Sequence, residues 1–193
     1  MRTRFRLGIW AICVTLAAPS AAVAQGAVTV IGGGLGQACY EAAETGRMAS
    51  IQALEICNLA LQQERLSRRD KAATHTNRGI LHMRSGNNTK ALRDYQKSLD
   101  LMPDLKEAKI NLGAAFYNLK RYPEALSALN EGVGSESVSA RAIGHYNRGL
   151  THEKLGDLQK AYEDFRTALT LEPDFKQAAD QMSRFTVLPA AGS

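Results

Sequence analysis

No strongly apolar stretch in this 193-residue sequence reaches the roughly 20 residues that a membrane-spanning helix requires. The longest, Leu7 to Ala18, has 12. Arg2, Arg4 and Arg6 precede it, and Ala22-Val23-Ala24 follows it as a small-residue cleavage pattern. A positive start, a short apolar core and an A-x-A site are, in that order, the parts of a secretory leader. Residues 1–24 are therefore read as a signal peptide cut after Ala24. The processed chain is expected to be periplasmic or secreted and not membrane-spanning. Cys13 lies inside the apolar core with no lipobox-like run before it, so it is not read as a lipid anchor.

An excess of charge is also missing once the leader goes. The full chain has 24 Lys and Arg against 19 Asp and Glu, a net charge of +5. Removing residues 1–24 takes away three arginines and no acid, which leaves +2 on 169 residues. A nucleic-acid partner loses its electrostatic basis at that value. Cysteine is scarce as well: Cys39 and Cys57 alone remain. An even pair in an oxidising compartment is expected to be a disulfide, which for a loop of this length is worth about 3 kcal/mol.

Chemistry-bearing clusters are absent too. "VTVIGGGLGQACYEAAE", Val28 to Glu44, approaches a G-x-G-x-x-G dinucleotide fingerprint, but no strand follows its helix. Without the strand–turn–helix–strand unit the glycines carry no such function, and Gln25 to Gly36 is read as a flexible, Gly-rich N-terminus. No grouping of serine, cysteine and histidine suggests a nucleophile, and the carboxylates are scattered. The sequence assigns no catalytic residue, no metal site and no cofactor.

What is present is repetition. "NRGILHMRSGNNTKALRDYQKSLDLMPD" (Asn77 to Asp104) aligns without a gap with "NRGLTHEKLGDLQKAYEDFRTALTLEPD" (Asn147 to Asp174), at an offset of 70. "NLGAAFYNLKRYPEALSALNEG" (Asn111 to Gly132) lies between them. Gly79 to Gly113 spans 34 residues and Gly113 to Gly149 spans 36. Each unit reads as a helical hairpin. In the first, Ala72 to about Arg84 forms one helix, capped by Asp70; "SGNN" turns the chain; Thr89 to Met102 forms the second, closed by Pro103. Gly79, Gly113 and Gly149 allow close approach, Ala91, Ala125 and Ala161 face across the hairpin, and Tyr95, Leu129 and Phe165 fill the space between units. Such units are stable only when stacked.

These positions resemble the tetratricopeptide repeat family, with units at 72–105, 106–139 and 142–175. The middle unit departs from the pattern, since it ends "LNEGVGSESVSA" without a closing proline. The resemblance implies an all-α, right-handed solenoid. Residues 37–66 are expected as a diverged, disulfide-linked N-terminal hairpin, 176–188 as a capping helix, and 189–193 as a disordered tail.

His75 and His82, like His145 and His152, stand seven residues apart, about 10 Å along a helix. They are read as packing within their hairpins rather than as metal ligands.

In the family the first helix of each unit lines a concave groove. The resemblance places Asn77, Ile80, Met83 and Arg84 there from the first unit. Asn111, Ala114, Tyr117 and Asn118 follow from the second, and Asn147, Leu150 and Lys154 from the third. Two readings of the asparagine place stand open. One is a ladder of amides that pairs with the backbone of an extended peptide; the other is a residue type habitual at that place in the family. The lysines and arginine of the family's carboxylate clamp are missing, with Thr76, Ile143 and Asn147 in their places. The expected function is an exported interaction scaffold that binds an unidentified peptide or protein as an adaptor or assembly factor. The alternative is a self-associating envelope protein. The "AVTVIGGGLG" segment is expected to dock in a groove, its own or a neighbour's.

Overall fold

The fold follows from apolar faces that no single hairpin can bury alone. A computed structural model describes residues 12–14, 23–31, 33–48 and 50–187. The rest of the expected leader core and the expected tail at 189–193 lie outside those residues. Nine helices are found among them. They pair as hairpins α1 (Leu35–Thr45) with α2 (Ser50–Gln63), α3 (Arg68–Arg84) with α4 (Asn88–Leu101), α5 (Lys106–Asn118) with α6 (Tyr122–Gly132), and α7 (Val138–Lys154) with α8 (Leu158–Leu171). The short α9 (Lys176–Met182) packs on α8. Each hairpin also contacts the next, α2 on α3, α4 on α5 and α6 on α7, so the core is continuous along the stack. No described helix is long and apolar enough to cross a membrane.

Close approach inside the hairpins depends on glycine. A Cβ on Gly79 would stand 2.4 Å from the Tyr95 ring, and one on Gly149 would stand 2.7 Å from the ring of Phe165. Both rings are fully buried. At the turns, Gly86 (φ 75°) and Gly156 (φ 85°) take the left-handed conformation. The equivalent place in the middle unit is Lys120, also left-handed at φ 59°. That residue bears the steric penalty that glycine avoids.

The histidines serve an ion-pair cluster that sequence reasoning missed. Asp94 of α4 is buried, and Arg78 of α3 binds it through two nitrogens at 2.6 and 2.9 Å. His75 Nδ1 lies 3.2 Å from the same carboxylate, and Arg78 also donates to Asn58 of α2 at 2.9 Å. The third unit repeats the cluster with Asp164, Arg148, His145 and Asn130. One guanidinium thus ties a hairpin together and to the unit before it. The middle unit has Leu112 and Ala128 at these places, both buried in the apolar core. Burial works against a charge on Asp94 and Asp164, but hydrogen bonds from the histidine and arginine outweigh it and hold both carboxyls low.

Several boundaries differ from the sequence reading. Helix α3 starts at Arg68, not Ala72, because Ser67 is its cap: Ser67 Oγ accepts from Asp70 N at 3.1 Å and donates to Asp70 Oδ2 at 2.6 Å. Asp70 is the third residue of a capping box rather than the cap itself. The terminal helix stops at Met182 rather than 188. Beyond it, β2 (Phe185–Val187) pairs antiparallel with β1 (Ile12–Val14). Phe185 packs its ring against Tyr162 and Phe165, and Arg184 grips Glu153 through two hydrogen bonds, which draws the chain out of helix. Cys39 and Cys57 are bonded, with Cα atoms 4.9 Å apart, and pin α1 to α2.

Two outcomes follow from these contacts. Lys120→Gly is expected to stabilise the protein by about 1 kcal/mol in chemical denaturation, because glycine relieves the left-handed strain; destabilisation would show that the Lys120 side chain contributes more than its backbone costs. Acidification is expected to lower the melting temperature in two steps. Burial depresses the His82 and His152 pKa values below 6.5, so their stabilising contribution is full above 6.5 and is lost as the pH falls through the folded values. Asp94 and Asp164, depressed below 3.8, add a second loss as the pH falls through their folded values. Replacing His82 and His152 with glutamine should abolish the first step alone.

Candidate peptide-binding groove

The first helices of the hairpins, α3, α5 and α7, turn one asparagine each toward a common channel, and that channel is occupied by the chain's own residues 23–31. Asn147 Oδ1 accepts from Ala24 N at 2.9 Å, and its Nδ2 donates to Ala24 O at 2.7 Å. Asn111 holds Gly26 in the same two-way manner at 3.3 and 2.8 Å. Asn77 holds Val28 at 2.8 and 2.7 Å. All three asparagines are fully buried. In an extended chain the N–H and C=O of alternate residues point to the same side and repeat about every 6.6 Å. One amide per unit therefore meets every second residue. An amide carries both a donor and an acceptor, so each rung satisfies a whole backbone position whatever its side chain.

The N-terminal segment is thus extended and anchored rather than flexible as expected. Val28 and Val30 are buried against Ala73, with Tyr40 and Leu105 packed on them. Val23 and Ala27 lie on the core cluster of the middle units, and Val23 and Ala24 on that of the third. At the far end Asp70 Oδ1 accepts from Ile31 N at 3.0 Å. Burial opposes the Asp70 charge, yet hydrogen bonds from Ser67 and Ile31 hold its carboxyl low. Gly34, at φ 89°, then turns the chain beside Glu64, which accepts from Gly36 N at 2.7 Å. The left-handed φ is what makes the bend need glycine.

The remaining residues assigned to the groove divide. Ile80, Met83 and Ala114 are buried in the core cluster under Val23 and Ala27, and Leu150 in the cluster under Val23 and Ala24. They form the floor rather than an open surface. Tyr117 packs edge-on to Tyr122 at 5.5 Å, and burial pushes its hydroxyl up to about 12. Arg84 lines a cleft of about 460 Å³ left beside residues 25–29, together with Tyr40, Glu44, Arg69 and Glu107. Asn118 points elsewhere: its Nδ2 donates to Asn88 Oδ1 at 3.3 Å, bridging to α4. Lys154 is exposed at the end of α7. Glu64 and Tyr40 were missed by sequence reasoning, and Asp70 was read only as a helix cap and not as the partner of Ile31. Among the described residues no group of three metal-ligating side chains forms.

Models of the tetratricopeptide repeat match residues 76–140 and 142–175, together just over half of the chain. DnaJ homolog subfamily C member 7 homolog of Schizosaccharomyces pombe is 35% identical over 71 residues, 37% of this chain and 15% of that protein. RNA polymerase II-associated protein 3 of Xenopus tropicalis is 28% identical over 60% of this chain and 17% of its own length. The chain thus spans a small part of these relatives. Among solved structures, MamA superposes with a TM-score of 0.57 at 22% identity, covering 69% of this chain and 74% of that one. The first tetratricopeptide domain of Spaghetti, bound to an HSP90 peptide, gives 0.55 at 24% identity, covering 60% and 90%. YrrB, described as having an unusual peptide-binding site, gives 0.55 at 22%, covering 67% and 64%. At these identities the likeness is one of fold.

The rungs carry a measurable share of stability. Asn77→Ala removes both bonds to Val28 and is expected to cost about 1–3 kcal/mol in denaturant unfolding. A change within a few tenths would mean that the apolar contacts of Val28 and Val30 alone hold the segment.

Proposed function

The chain belongs to the tetratricopeptide repeat family, and from that premise we propose that it is an exported interaction scaffold whose concave groove binds an extended polypeptide by its backbone. It works as a periplasmic adaptor or assembly factor. The observation that carries this reading is the asparagine ladder itself, holding three alternate backbone positions of an extended strand in two-way hydrogen bonds. Such bonds are blind to side chains, so affinity is general and selectivity falls to the apolar floor. The peptide complex of the Spaghetti domain and the peptide site of YrrB, on the same fold, support a peptide as the class of ligand. Export is supported by the leader-like residues 1–24 and by a disulfide of the kind that persists in oxidising compartments.

In this reading the tethered segment at 25–31 is a built-in competitor, present at the high effective concentration of an intramolecular ligand. A partner enters by displacing it. The same tether favours a second reading. A segment joined to the solenoid through Gly32–Gly34 and able to fill one groove is equally a ligand for the groove of a neighbouring copy. Sedimentation over a range of concentrations separates the two: a monomer throughout supports the adaptor, and a stable oligomer supports self-association.

The direct test uses a partner peptide identified by crosslinking from Tyr117 in envelope extract. In a chain lacking Gln25 to Ile31, where no tethered competitor shares the rung, Asn111→Ala is expected to weaken that peptide about 3- to 10-fold, at about 0.5–1.5 kcal/mol per net hydrogen bond. Unchanged affinity would contradict the ladder.

A further inference from the structure

Two pieces of the leader rest on the C-terminal half of the stack. Ile12–Val14 pairs antiparallel with β2, Ile12 opposite Val187 and Val14 opposite Phe185. Further along, Ala24 is held through both its N–H and its C=O by Asn147. Val23 and Ala24 cover an apolar floor that includes Tyr146, Leu150 and Phe175. The peptide bond expected to be cut on export joins Ala24 to Gln25. The carbonyl oxygen of that bond is the one that Asn147 holds. Its hydrolysis adds one water, leaves a carboxylate on Ala24 and an ammonium on Gln25, and frees residues 1–24.

The consequence is selective. Both bonds of Asn147 and the strand paired with β2 leave with the leader. The bonds of Asn111 to Gly26 and of Asn77 to Val28 belong to the processed chain and stay. Cleavage therefore vacates a path described at its two ends, the edge of β2 and the third rung, while the first two rungs remain filled. An open strand edge offers unpaired backbone donors and acceptors to another strand. A bare amide above an apolar floor offers one of each. The occupant seen in the structure fits both because it is extended where it pairs, small at Ala24 and without charge from Leu7 to Ala24.

We infer that in the processed protein this vacated path binds an extended, uncharged apolar segment of a partner polypeptide, and that loss of the leader is what opens it. The inference rests on the export reading above. In the precursor the path is self-occupied, so partner binding is confined to the compartment in which the leader has been removed.

The only tryptophan of the chain is Trp10, so the processed protein has none and a tryptophan-bearing peptide reports its own binding. The probe is a synthetic peptide of residues 10–24, amidated at its C-terminus so that Ala24 keeps an uncharged carbonyl, carrying Cys13→Ser and two added N-terminal lysines for solubility. Its fluorescence is expected to shift to the blue and saturate with the chain that begins at Gln25. Affinity for the unprocessed chain, expressed without export, should be at least tenfold weaker. Asn147→Ala should weaken binding 3- to 10-fold. A probe N-methylated at its last alanine lacks the N–H that Asn147 accepts and should lose a similar factor with no change to the protein. Equal binding to both chain forms, or indifference to both the substitution and the N-methyl group, would overturn the inference. N-terminal sequencing of exported protein tests the premise separately. A first residue other than Gln25 contradicts cleavage after Ala24, while the chain begun at Gln25 still decides whether the path binds.

Discussion

The structure turns on one interaction, the side-chain amide of an asparagine paired in both directions with a single backbone position. Its geometry imposes a register. Hairpin units present one amide each, and an extended chain presents a usable N–H and C=O pair only at every second residue. The segment from Ala24 to Val28 meets that demand at positions 24, 26 and 28. The register then dictates the rest. Val28 and Val30 fall on one face and are buried, Ile31 reaches Asp70, and Gly34 is needed to turn the chain back into α1.

The architecture was legible in the sequence because repetition with a period of 34 leaves a strong signal, and because glycine, alanine and aromatic places carry steric meaning one by one. The disulfide was legible from an even cysteine pair flanking a turn. The Asp94 and Asp164 clusters were not, because their members lie 16 and 19 residues apart on different helices, and only the stacked fold brings arginine, histidine and aspartate together. The histidines were correctly read as hairpin packing, but their carboxylate partner was missed. Within the groove, the asparagine place was legible and its occupant was expected only as one of two. The family resemblance placed Asn118 in the groove, whereas its amide donates to Asn88 of the preceding hairpin. The short α9 was overextended because an apolar periodicity continues through Phe185, which packs on Tyr162 and Phe165 from a strand instead.

In the proposed reading a ladder that ignores side chains gives the scaffold general affinity for extended backbone, and its own N-terminus is the strand seen on it. Occupancy by the chain's own N-terminal residues keeps all three buried amides satisfied while Ala24 is attached, and those of Asn77 and Asn111 after cleavage, which matters because an unpaired buried polar group costs far more than a net hydrogen bond returns. Any partner must therefore supply backbone pairs of the same kind or leave the segment in place. In the proposed reading specificity falls to what lies under the strand, the apolar floor built on Ile80, Ala114 and Leu150, and to the cleft beside it.

Amide hydrogen exchange on the protein beginning at Gln25 tests the ladder most directly. Gly26 and Val28 donate their N–H groups to buried asparagines, whereas those of Ala27 and Thr29 have no partner among the described residues. Slow exchange at Gly26 and Val28 alternating with fast exchange at Ala27 and Thr29 is the predicted pattern. Uniformly fast exchange from Gly26 to Thr29 would show that the segment does not sit on the asparagines, and would contradict the central claim.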